Sequence, residues 1–257
     1  MQNRIDQLFA RKQHGVLNIY CTAGFPELND TLPVMTALQK HGADLIELGM
    51  PFSDPLADGP VIQDSSTRAL KNGMSLHKLF EQLKGFRNSI QVPVVLMGYL
   101  NPVLTFGIEA FCAKCAEVGV DGVIVPDLPM AEYEQEYRSV FEQYNLHLIF
   151  LVTPETSDER IHKIDGLSKG FLYAVSSSST TGKDKDMKDQ QAYFKRLESL
   201  KLKNPVLIGF GIKDKVTFEA ATAHANGAII GTAFIRAIEN SHNIDETVKT
   251  FISGIIQ

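Results

Sequence analysis

Residues Glu47 to Pro60 read E-L-G-M-P-F-S-D-P-L-A-D-G-P and place three carboxylates, Glu47, Asp54 and Asp58, within twelve positions. The stretch follows the apolar pair Leu45-Ile46 and holds three prolines and two glycines, so most of it is unsuited to regular helix or strand. A carboxylate at the end of a buried strand, followed by a stiff loop carrying two more, suits acid–base chemistry on a bound small molecule. Turns favour Asp, Pro and Gly in any protein, so solvated turn aspartates are the competing explanation. The rest of the chain decides between them.

The elements that must position these groups recur with a regular period. Short β-rich runs lie at 17–20, 44–48, 94–97, 122–125, 147–151, 170–175, 206–208 and 227–230. Most are continuously apolar rather than alternating, as parallel strands covered on both faces are. Amphipathic helical stretches separate them at 32–41, 76–88, 108–118, 132–144, 157–164, 190–200 and 213–225. The turns H-G-A-D at 41–44, V-G-V-D-G at 118–122 and A-N-G-A at 225–228 suggest one repeated device, a left-handed glycine that ends a helix just before a strand. Eight strands alternating with helices predict an α/β chain folded as one (β/α)₈ TIM barrel domain over residues 1–257. It carries an extra N-terminal helix within 1–12 and another after the second strand, at 61–71. A doubly wound open sheet fits less well, because Thr22-Ala23-Gly24-Phe25-Pro26 after the first strand is no G-x-G-x-x-G fingerprint.

Composition narrows the function classes. With 44% hydrophobic and 21% charged residues, the chain reads as a soluble globular protein. A net charge of −5 without blocks of like charge suggests neither a nucleic-acid nor a membrane partner. No window approaches the ~20 apolar residues of a membrane span, and the N-terminus lacks a signal-peptide pattern. Cys21, Cys112 and Cys115 form no even framework, which points to a reducing, cytoplasmic setting. Cys112-x-x-Cys115 lacks a second pair or nearby His for a zinc site and reads as structural, so no metal is expected.

A phosphate seat is legible at the far end of the chain. The seventh strand runs into Gly209-Phe210-Gly211-Ile212 and the eighth into Gly231-Thr232-Ala233, each ahead of a helix. TIM barrels hold phosphorylated substrates on backbone N–H groups at these two loops. The loop after the sixth strand, S-S-S-S-T-T-G-K-D-K-D at 176–186, is long for a βα connection and sits where lids close over substrates. Thr181 and Gly182 are its candidates for phosphate contact.

These residues carry a resemblance. The chain is similar over essentially its full length to the tryptophan synthase α subunit family. The most specific match is L-I-E-L-G-M-P-F-S-D-P-L-A-D-G-P-V-I-Q, 45–63, supported by V-P-D-L-P at 125–129, T-G at 181–182, G-F-G-I at 209–212 and G-T-A at 231–233. The resemblance implies retro-aldol cleavage of indole-3-glycerol phosphate to indole and D-glyceraldehyde 3-phosphate, with Glu47 and Asp58 at the catalytic positions. It places Tyr20, Ile124, Leu151, Tyr173 and Phe210 around the indole ring, and Gly182, Gly211, Gly231 and Thr232 at the phosphate. It implies no cofactor in this chain and a pyridoxal phosphate-dependent β subunit as partner in an α₂β₂ assembly. Contacts with that partner are expected from 51–54 and from the apolar loop 100–107. The lid departs from the commonest family pattern, with Ser179-Thr180 where Gly-Val precedes Thr-Gly.

The chemistry fits these residue types on its own terms. Cleavage needs a proton delivered to indole C3 and one removed from the hydroxyl that becomes the aldehyde. A carboxyl group titrating near neutrality serves both, and a place at the mouth of an apolar barrel is expected to raise Glu47 into that range. Asp58 supplies a fixed anion for the charge developing on the indole nitrogen. Another phosphosugar barrel isomerase would share the phosphate seat but not the 47–58 segment. An autonomous lyase, or a barrel kept only as a regulatory subunit, is separated by assay.

Overall fold

Continuous runs of Val, Ile and Leu form parallel strands only when both faces are covered, and the chain meets that demand by closing its sheet. The computed structural model describes residues 2–175, 187–209 and 211–257. Among the described residues there are nine strands: β1 (Val16–Thr22), β2 (Leu45–Gly49), β3 (Val94–Met97), β4 (Gly122–Ile124), β5 (His147–Ile149), β6 (Leu151–Val152), β7 (Leu172–Val175), β8 (Val206–Gly209) and β9 (Gly227–Ile230). All neighbouring pairs are parallel, and β1 pairs with both β2 and β9. The sheet order runs β5-β4-β3-β2-β1-β9-β8-β7-β6. Only Phe150 separates β5 from β6, so the chain itself closes the ring into a TIM barrel. The eight predicted strands are all there, the fifth broken in two around that residue.

The barrel interior is a packed core. Leu45, Val95, Ile124, Ile149, Leu207 and Ile229 meet inside it, and Ile5, Leu8 and Phe9 of the N-terminal helix Arg4–Arg11 plug its lower end. Asn3 caps that helix and donates to the Asp121 carbonyl. The Asp121 side chain, buried at the start of β4, accepts from Arg4, Arg87 and the Val94 N–H. A carboxylate so placed is neutralised by two guanidinium groups and a backbone donor, which offsets its burial. The strands therefore have a fixed floor, and the site can only lie at their C-terminal ends.

Helices cover the outside, with differences from the expected boundaries that have local causes. The stretch 76–88 divides into Leu76–Gln82 and a 3₁₀ turn Phe86–Asn88, because Gly85 takes a left-handed φ of 73° between them. The stretch 132–144 contains a π-helical turn at Tyr133–Tyr137. Residues 100–107, expected as a loop, form a helix, Leu100–Phe106, whose Pro102 sits in the first turn where it costs no hydrogen bond. Glycines 42 and 119 cap helices with φ of 116° and 94°, as expected. Gly227 does not. It begins β9, and a Cβ there would collide with the Val16 carbonyl, so it serves close strand approach rather than helix termination. Among the described residues no helix is long and apolar enough to cross a membrane.

Candidate active site

Register sets the site. Tyr20 of β1 is the pairing partner of Glu47 of β2, so both reach the same level of the barrel. Glycines make room for the aromatic rings: a Cβ at Gly49 would collide with the Tyr20 hydroxyl, and one at Gly209 with the hydroxyl of Tyr173 in β7. Both tyrosines are buried and held neutral, their hydroxyl pKa values pushed up by burial and by the neighbouring carboxylates. Glu47 itself is 1% exposed.

Burial raises the Glu47 carboxyl from an ordinary 4.5 to about 8, against a hydrogen bond from Asn18 that lowers it; the charge of Asp58 adds to the rise. Asp58 is half-buried and raised from 3.8 to about 6 by desolvation, with a hydrogen bond from Tyr99 pulling the other way. At neutral pH the pair is therefore split, Glu47 carrying a proton and Asp58 mainly ionised. Two carboxyl groups set apart in this way divide acid and charge-stabilising roles between them.

The loop between β2 and the helix Pro60–Lys71 brings Asp58 in. Turn bonds Leu56 N–H to Asp54 O and Asp58 N–H to Pro55 O shape it, and Gln63 Nε2 donates to the Asp58 carbonyl at 2.8 Å. Tyr99, just ahead of the helix Leu100–Phe106, donates to Asp58 Oδ2 at 3.0 Å and accepts from the Ala57 N–H at 3.0 Å. The Phe52 ring lies 5.3 Å from that of Tyr99. Leu100 N–H donates to Asp127 Oδ1 at 2.9 Å, linking this support to the loop after β4. Thr22 at the end of β1 bonds Ser65 at 2.8 Å and so pins the following helix to the barrel.

Of the expected phosphate positions, Gly211 has a φ of 77° that L side chains rarely adopt. Gly231 precedes the helix Thr232–Ile238, whose first-turn N–H groups no side chain caps. Among the described residues no group of three His, Cys, Asp or Glu is placed to hold a metal ion.

With this geometry in place, relatives can be compared. The family model for the tryptophan synthase alpha chain matches residues 7–253. The chain belongs to the tryptophan synthase alpha chain family. It is 56% identical to the tryptophan synthase alpha chain of Christiangramia forsetii, covering 98% of each chain. Its fold is similar to that of the α subunit from Legionella pneumophila strain Paris, with a TM-score of 0.90, 33% identity and 99% and 97% coverage. It is also similar to a chain of the tryptophan synthase complex from Pyrococcus furiosus, with a TM-score of 0.85, 35% identity and 95% and 99% coverage. Tryptophan synthase alpha chains cleave indole-3-glycerol phosphate without a cofactor, and pyridoxal phosphate belongs to the β subunit that is their partner.

Seen as a tryptophan synthase alpha chain, the structure brings together Glu47, Asp58, Tyr20 and Tyr173, the two carboxyl groups being near enough to raise the pKa values of both tyrosines. Ile124 lies in the barrel core, and Leu151 packs against that core while also bordering a cavity of 310 Å³ shared with Asp127, Thr156 and Arg160. Asp54 stays exposed in solvent, apart from the other two carboxylates. Thr181, Gly182 and Phe210, with the 176–186 segment, lie outside the described residues. Sequence reasoning missed Tyr99 and Asn18. Tyr99 stood just ahead of the segment 100–107 that was expected to meet the partner, and a lone Asn within an apolar strand gives no signal until its neighbour is known.

Proposed function

We propose that this chain converts indole-3-glycerol phosphate to indole and D-glyceraldehyde 3-phosphate, with Glu47 and Asp58 as its catalytic residues. The observation that supports this most is a buried carboxyl with a pKa of about 8 beside a second one of about 6, at an aromatic barrel mouth. Glu47 arrives protonated and delivers its proton to indole C3. The carboxylate so formed takes the proton from the glycerol hydroxyl, the carbon–carbon bond breaks, and an aldehyde and indole leave. Glu47 regains its proton in the same turnover. Asp58 accepts the indole N–H and stabilises the positive charge that exists only in the indolenine intermediate, where a low-dielectric site makes the interaction strongest. Tyr20, Ile124, Leu151, Tyr173 and Phe210 surround the ring; Thr181, Gly182, Gly211, Gly231 and Thr232 hold the phosphate.

The chain acts as one barrel domain in the cytoplasm, and a β subunit receives its indole within an α₂β₂ assembly. Indole is small and apolar, so direct transfer prevents its loss. Two large apolar side chains at the catalytic end fit such an interface: Leu56, 89% exposed after β2, and Leu104, 44% exposed on the helix after β3. They extend the expected 51–54 contact and give the expected 100–107 contact a helical form. Val103 on that helix is buried, and Phe106 packs on Phe80 and Phe111, so only part of it is offered.

The test is indole production from indole-3-glycerol phosphate by the purified chain at increasing β-subunit concentration. Indole should appear from the chain alone and rise with added β subunit. No indole under either condition contradicts the reading. A flat response, with binding shown independently, leaves an autonomous lyase.

A further inference from the structure

Asn18 is fully buried in β1, where the neighbouring interior positions hold apolar side chains. Its pairing partners are Leu45 and Ile229, one inward-facing layer below the Tyr20–Glu47 level. Its Nδ2 donates to Glu47 Oε2 at 3.0 Å. Its Oδ1 is buried and has no hydrogen-bond partner among the described residues. An unpaired buried acceptor costs stability, and this one lies beside the Glu47 carboxyl. Here one end is held in reserve, beside a group whose work is to gain and lose a proton.

We propose that Asn18 is a positioning residue for Glu47, donating through Nδ2 to the carboxylate and, with its amide turned over, accepting through Oδ1 from the carboxylic acid. An amide is suited to this because it presents a donor and an acceptor at equal reach. A valine or leucine at this place could do neither, and a lysine or arginine would lock the carboxylate. The proposal rests on the catalytic reading of Glu47 given above. The other titratable groups acting with Glu47 are Tyr20 and Cys21 of β1, Asp58 of the loop after β2, and Tyr173 of β7. Burial pushes the tyrosine and cysteine groups far up, so they stay neutral through the working range and Asp58 is the one other charge that changes.

The experiment compares wild type, Asn18→Leu and Asn18→Asp by two readouts. One is the pH dependence of kcat and KM for indole formation. The other is the infrared carboxyl band of Glu47 through a pH titration, identified by its loss in Glu47→Gln. Asn18→Leu keeps the volume and removes the bond, which lowers the Glu47 pKa at present. Its carboxyl titration and the high-pH limb of kcat should both move up by about one pH unit, tenfold in proton affinity, with kcat reduced and KM little changed. Asn18→Asp keeps the shape but leaves two carboxyls sharing a proton, and moves the last deprotonation further up. Should one variant not fold, the other carries the test. A folded variant in which the carboxyl titration and kcat are both unmoved overturns the proposal. Full activity of Glu47→Gln would instead overturn the catalytic reading beneath it, so the two failures are distinguishable.

Discussion

Tyr99 and Asp58, from loops after adjacent strands, share a hydrogen bond of 3.0 Å, and the same tyrosine oxygen accepts the Ala57 N–H. One side chain thus orients the aspartate and clasps the loop that carries it. Tyr99→Phe removes both bonds. Because the bond to Tyr99 lowers the Asp58 pKa, its loss should raise that value, shifting the low-pH limb of kcat upward by up to about one pH unit. Stability should fall by about 1 kcal/mol. A limb that stays in place would show that Tyr99 braces the loop without tuning the charge.

The pH profile of the free chain follows from the two carboxyl groups. Activity needs Asp58 ionised and so should rise as pH passes about 6; it needs Glu47 protonated and so should fall as pH passes about 8. A bell-shaped kcat profile between these limbs is expected. A profile flat from about pH 5 to about pH 9 contradicts the assignment.

Stability carries the same signature. Glu47 has a folded pKa raised above its ordinary 4.5, so the folded chain keeps a proton that the unfolded chain releases. That contribution is fully present below pH 4.5 and is lost as pH rises through about 8. Glu47→Gln does not titrate. Denaturant unfolding should find the variant more stable than wild type at alkaline pH, by on the order of 5 kcal/mol, with the difference shrinking as pH falls toward 4.5. Equal pH dependence of the two proteins would mean that Glu47 is not perturbed.

The two rim glycines should behave differently. At Gly211 the φ of 77° strains any L side chain, so Gly211→Ala distorts the turn and should weaken glycerol phosphate binding while leaving indole binding nearly intact. At Gly231 a Cβ would sit 3.5 Å from the Cβ of Tyr20, an ordinary contact. Gly231→Ala should be tolerated, whereas Gly231→Leu presses on the aromatic pocket and weakens indole as well. Titrations of each variant with glycerol phosphate and with indole check this. Unchanged glycerol phosphate affinity in Gly211→Ala and Gly231→Leu alike would remove the proposed seat.

How far the sequence could be read depended on whether a residue's neighbours are near in the chain. The parallel barrel was legible because continuous apolar runs alternate with amphipathic ones, and Glu47 because it ends such a run before a Pro- and Gly-rich loop. The helix Leu100–Phe106 was not, since its Asn-Pro start marks turns and its apolar residues lack a clear stripe. Gly227 resembled the helix-ending glycines 42 and 119 by letters alone; its reason, the Val16 carbonyl, lies across the sheet. Asn18 and Tyr99 acquire roles only through partners 29 and 41 residues away.

The central claim is that Glu47 transfers the protons, and Glu47→Gln tests it most directly. The amide is nearly isosteric, keeps a hydrogen-bonding end for Asn18 and cannot carry the proton. Indole formation by the purified variant should fall by about 10²–10⁴-fold, with substrate binding and fold retained. Turnover above about a tenth of the wild-type rate would contradict the account.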